Sequence, residues 1–169
     1  GALAAAVGAL IAGRVAFVRL NAGYFAENPS EGWQVWLGGL NYHAALLGGL
    51  AGLWLWARLT RRPFYFYAGL LAPGLALLAA FGWAACRFEG CAYGRPALPG
   101  ILSADLPDDF GVFAVRYQTQ LLGVLGSLAV FALALAASRR ARPALLFWAT
   151  LAGLSLVHAA VALGRGDPA

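Results

Sequence analysis

The chain has 169 residues, of which 62% are hydrophobic and only 11% charged. A soluble domain has about a quarter of its residues charged, so an ordinary soluble fold is excluded. The expected fold is all-α: a single-domain, polytopic transmembrane helical bundle. The net charge is +5 and every basic residue is arginine. No basic stripe with interleaved aromatics lies outside the apolar runs, so nucleic acid is not the expected partner and anionic lipid is.

Five spans are expected, over residues 2–18, 37–56, 64–85, 119–137 and 144–163. The first is Ala-rich and interrupted by Arg14, with Arg19 at its end. Arg19 reads as a snorkelling side chain, whereas Arg14 could snorkel or enter a pocket. Residues 21–36 are polar with Tyr24, Phe25, Trp33 and Trp36, which suits a membrane–water interface. Asn28-Pro29 marks a turn, and Pro29 could open a short interfacial helix. The second span has glycines at 38, 39, 48, 49 and 52, whose small size lets helices approach closely. Asn41-Tyr42-His43 lies near its start, and Arg58, Arg61, Arg62 and Pro63 end it. The third has Pro73 in its interior, a position that removes a backbone donor. A loop over 86–115 follows, long enough to suggest function. Its Asp105, Asp108 and Asp109 read as a solvated turn. The fourth span ends in Ser138-Arg139-Arg140-Ala141-Arg142-Pro143. The fifth contains His158, which reads as a packing histidine beside Ser155.

The positive-inside rule makes the arginine clusters 58–62 and 139–142 cytoplasmic. Residues 21–36 and the 86–115 loop then face outward. His43, Arg87 and Arg116 are thereby expected at one depth, from three different spans. Arginines at span ends need an anionic partner, and a lipid headgroup supplies one. Cys86 and Cys91 do not make a zinc site, which needs four ligands, and no metal or cofactor is expected. They read as two separate thiols or, in an oxidising compartment, as a disulfide. No charged region precedes the first apolar run, so no signal peptide is expected. The chain begins with Gly1, which reads as a fragment or a processed form.

Three blocks carry a family resemblance. Residues 38–48, GGLNYHAALLG, resemble the GGLxxHGGLxG block of prolipoprotein diacylglyceryl transferases. Residues 70–73, LLAP, running through CRFEGCAYGRP at 86–96, resemble that family's LLAP…GRIGxFxNGxxxGRP signature. Residues 116–121, RYQTQL, resemble its RHPxQLYE block, and IAGRV at 11–15 is more weakly similar to its GARLG turn. The resemblance implies transfer of a diacylglyceryl group from phosphatidylglycerol to the lipobox cysteine of a prolipoprotein, in the bacterial inner membrane. It also implies His43 and Arg116 as catalytic residues. Arg87, Arg14, Arg95, Tyr42, Asn41, Gln120 and Glu89 would bind substrate, with Glu89 pairing Arg87 or Arg95.

Several positions depart from the pattern. Trp83 stands where the family has the GRIG arginine, Cys86 and Glu89 where it has asparagines, and Leu122 and Gly123 where it has Tyr and Glu. Arg87 is four residues after Trp83, on the same helix face, and would reach back to that level if the helix continues through it. A homologue that binds anionic phospholipid without chemistry, and an unrelated small transporter or structural membrane protein, are the competing readings.

Overall fold

A computed structural model of the chain describes residues 1–108 and 110–166. The expectations for Asp109 and for the end of the polar tail, 167–169, lie outside the described residues. The chain divides into two compact units, Gly1–Ala68 and Gly69–Ala169.

The first unit is a helical hairpin with an elaborate connection. Helix α1 (Ala2–Leu20) leads through α2 (Ala22–Glu27) and two 3-10 turns, Pro29–Trp33 and Val35–Leu37, into α3 (Tyr42–Leu59). Helices α1 and α3 run antiparallel and touch through their glycines. A Cβ on Gly8 would overlap the Gly48 carbonyl, and one on Gly52 would overlap the Ala4 carbonyl. Backbones this close gain dispersion and shed no side-chain entropy, which is how helices associate in lipid. Helix α3 begins at Tyr42 and not at 37 as expected. Gly38 (φ +82°) and Gly39 (φ +78°) are left-handed, a conformation glycine adopts freely. Asn41 then caps the helix, its Oδ1 accepting from the Ala44 N–H at 2.9 Å.

Helix α4 (Phe64–Glu89) starts in the first unit and carries on into the second, and Pro73 does not end it. Ala72, Ala76 and Ala80 form its buried face while Leu70, Leu78 and Phe81 are exposed. The loop expected over 86–115 is therefore shorter at its start, and it is not irregular throughout. Strands β1 (Ser103–Pro107) and β2 (Phe113–Tyr117) pair antiparallel, Asp105 opposite Val115. On the other edge of β2, Ala97 N–H donates to the Val115 carbonyl and Tyr117 N–H to the Arg95 carbonyl. Helices α5 (Thr119–Ala137) and α6 (Pro143–Ala162) complete the unit. They cross where Gly126 meets Val157 and Gly153 meets Val130.

Among the described residues, α1, α4, α5 and α6 are long and apolar enough to cross a membrane. Helix α3, expected as the second span, falls outside that set; its first and last turns carry His43 and Arg58. The chain is a multi-pass membrane protein, predominantly helical.

Candidate active site

The candidate residues fall into two groups, one per unit. In the first unit Arg14 is buried, 6% exposed, and its five N–H bonds all point at carbonyls. Nε donates to Gly32, Nη1 to Gly38 and Gly39, and Nη2 to Glu31 and Gln34. The guanidinium also lies over the rings of Phe17 and Phe25, at 5.6 and 5.5 Å. Arginine has five donors in a rigid fork, and here the 31–39 connection consumes them all. This corrects the assignment of Arg14 to substrate: it neither snorkels nor offers a donor, but folds the connection into place. The Asn41 side-chain oxygen is spent as the cap of α3, which leaves the amide donors of Asn41 as its part in the expected substrate contact. His43 and Tyr42 follow in the first turn, both exposed, their rings edge-to-face at 5.5 Å.

In the second unit the centre is Arg116, 8% exposed, on β2. Its Nη2 donates to Asp108 Oδ2 at 3.0 Å, and its guanidinium sits 4.9 Å from the Tyr93 ring centroid. Nε has no hydrogen-bond partner among the described residues. A buried N–H left unpaired is costly, and a phosphate oxygen is a fitting acceptor for it. Asp108 Oδ1 accepts from the backbone N–H groups of Phe110 and Val112, both at 2.9 Å. Those bonds, that of Val112 foremost, together with Arg116 hold the Asp108 carboxyl below its ordinary pKa. Asp108 is therefore ionised at neutral pH and fixes Arg116. It is not the bare solvated turn expected.

The crossover from α4 into the hairpin is fixed from below. Cys86 and Cys91 form a disulfide, so both cysteines are oxidised and the chain holds no free thiol. Gly90 ends α4 at φ +77°, the left-handed C-terminal cap of many helices. Beyond it, Gln120 Nε2 donates to the Cys91 carbonyl at 3.0 Å and Thr119 Oγ1 to the Ala92 carbonyl at 2.7 Å. Gln120 is 2% exposed, and its Oε1 has no partner among the described residues. The carbonyl-bound amide places Tyr93 two residues on, under Arg116.

Arg95 is exposed, with its guanidinium 5.6 Å from the Tyr117 ring. Arg87 is in the last turn of α4, and Glu89 is its final residue, both exposed. The expected pairing of Glu89 with Arg87 or Arg95 is not formed: among the described residues the one ion pair is Arg116–Asp108. The helix does continue through Arg87, the condition for it to serve the Trp83 level. Trp83 itself packs against Gly123 and lies 5.6 Å, ring to ring, from His158. Sequence reasoning missed Asp108 and Tyr93. The available signal was no more than Gly111, a turn residue between two short runs; the hairpin it serves brings Asp108 back beside Arg116.

The fold and site thus define a multi-pass membrane protein with a buried, half-committed arginine on a structured loop between spans. A family model described as prolipoprotein diacylglyceryl transferase matches residues 2–169. The phosphatidylglycerol–prolipoprotein diacylglyceryl transferases of Trichormus variabilis and of a Nostoc species are each 34% identical over 161 residues, 89% of this chain and 57% of theirs. That of Nitratidesulfovibrio vulgaris is 34% identical over 143 residues, 80% of this chain and 51% of its own. The chain belongs to the prolipoprotein diacylglyceryl transferase family, and it spans a little over half the length of the first of these relatives.

Proposed function

We propose that the protein transfers a diacylglyceryl group from phosphatidylglycerol to the lipobox cysteine of prolipoproteins in the bacterial inner membrane. The observation that carries this reading is Arg116, buried, with one edge held by Asp108 and its Nε–H free for an acceptor. The relatives are transferases named for phosphatidylglycerol and prolipoprotein, which are the substrates proposed here.

In the proposed step the substrate's thiolate attacks the glycerol carbon that bears the phosphate ester. A carbon–sulfur bond forms, the carbon–oxygen bond breaks, and glycerol phosphate leaves with the electron pair. Charge grows on the departing phosphate, so a preorganised guanidinium lowers the barrier more than it tightens ground-state binding. Arg116 takes that role. Arg87 assists from the α4 terminus, where it can lean back along the helix towards Trp83. A thiol with an unperturbed pKa near 8.5 must lose its proton, and His43 is the acceptor, imidazole being the side chain that most often moves a proton in catalysis. Tyr42, Gln120 and Arg95 line the headgroup's approach, and exposed Glu89 is at the rim. The disulfide removes both of the chain's own thiols, so the substrate's cysteine is the nucleophile on offer.

The test is to reconstitute the full-length protein with phosphatidylglycerol and a lipobox peptide, and to follow the diacylglycerol mass gain on cysteine. The wild type should modify the peptide. Arg116→Gln should lower kcat by about 10²–10³, the usual loss for one charge-stabilising donor, and His43→Ala by about 10²–10⁴. A wild type without product, or either variant at full rate, contradicts the assignment.

A further inference from the structure

The first unit has a second cationic site, at the opposite end of α3 from His43. A cavity of about 570 Å³ opens where α3 turns into α4, lined by Trp54, Arg58, Arg61, Arg62, Pro63 and Phe64. Three of the lining residues are arginines. Arg58 lies over the Trp54 ring at 5.0 Å and Arg62 over the Phe66 ring at 5.7 Å. Stacking of this kind occupies the flat face of a guanidinium and leaves its N–H edge available.

Among the described residues of this unit, no carboxylate pairs with these charges. The glutamates of this unit, Glu27 and Glu31, are on the α2 side, separated from Arg58 by the length of α3, about 27 Å for 18 residues. The N-terminus of the 26-residue helix α4 opens at Phe64, beside the cavity, with no acidic residue in its first turn. The positive dipole end of the helix favours an anion there. Arginines that only mark topology would need neither a cavity nor a helix terminus among them.

We infer that this cavity binds the phosphate of an anionic phospholipid headgroup, at the membrane face opposite His43. Lipid rather than free phosphate fits, because the walls are apolar. Trp54 forms one, and exposed Leu59, Tyr65 and Phe66 continue it outside the cavity as a surface for acyl chains. The site is separate from the transfer chemistry proposed above and does not rest on it.

The test uses the full-length protein and vesicles of phosphatidic acid and phosphatidylcholine, with retained lipid read by native mass spectrometry. Phosphatidic acid should be retained in preference. Arg58→Gln/Arg61→Gln/Arg62→Gln should lower its retention by about tenfold or more, while Arg139→Gln/Arg140→Gln/Arg142→Gln, matched in charge, should leave it unchanged. Equal loss in both, no preference in the wild type, or capture of inorganic phosphate without lipid would overturn the inference. Should the first variant not fold, a headgroup-photoreactive phosphatidic acid on the wild type decides. Cross-links within residues 54–64 support the site, and cross-links only elsewhere refute it.

Discussion

Trp83 and Gly123 illustrate how single residues are read in pairs. Each departs from the family pattern, and each looks like a simple loss in the sequence. In the structure they are one feature. The indole of Trp83 packs directly on Gly123, where any Cβ would overlap the ring. The large aromatic fits in one helix because position 123 on its neighbour carries no side chain. Gly123→Ala should therefore destabilise the protein by about 1–3 kcal/mol, the cost of overpacking a fitted contact. In a Trp83→Leu background the same change should cost under about 1 kcal/mol, because the obstacle is gone. Thermal unfolding of the four proteins in one detergent measures this. Arg14 carries the complementary lesson. An arginine within an apolar run suggests a ligand, yet its five donors meet five carbonyls of its own chain. Sequence cannot reveal this, since the acceptors are backbone atoms that any residues would supply.

At the scale of the element, the β1–β2 hairpin is a carrier for one ion pair. Its turn gives Asp108 two backbone N–H donors, and its strands return Arg116 to the same carboxylate. The Asp108 carboxyl is held below its ordinary pKa by Val112 N–H above all, then by Phe110 N–H and Arg116. A carboxyl depressed in the folded protein contributes stability above its unfolded pKa and loses it as pH falls through the folded value. The hairpin should thus be fully ordered at neutral pH and loosen only in acid, below the ordinary range of a carboxylate. The protection of the Ala114 to Tyr117 amides against exchange, relative to an unfolded peptide and followed from about pH 6 downwards, should fall in that window. Asp108→Asn should show no such step.

The helices were far more legible than this hairpin. Helix α5 runs from Thr119 to Ala137, as its apolar run reads, because an uninterrupted hydrophobic stretch has little choice in lipid. The start of α3 was misread by five residues, since left-handed Gly38 and Gly39 look in sequence like any helix-packing glycines. The strands hide for another reason: five residues each, among Pro and Gly, fall below what alternation can distinguish from loop. The disulfide stood open because cysteine spacing does not fix pairing; Gly90 supplies the turn that closes it.

For the whole molecule, the proposed chemistry assigns proton transfer to His43, in the first turn of α3, and charge stabilisation to Arg116, beside Asp108 on β2. Both residues are proposed to work from the outward-facing side of the membrane. Because Cys86 and Cys91 are paired, His43→Cys and Arg116→Cys each add one free thiol to this chain. In sealed vesicles of full-length protein, a membrane-impermeant maleimide added from the outer face should label each single variant. Labelling of the two variants from opposite faces would contradict the proposal.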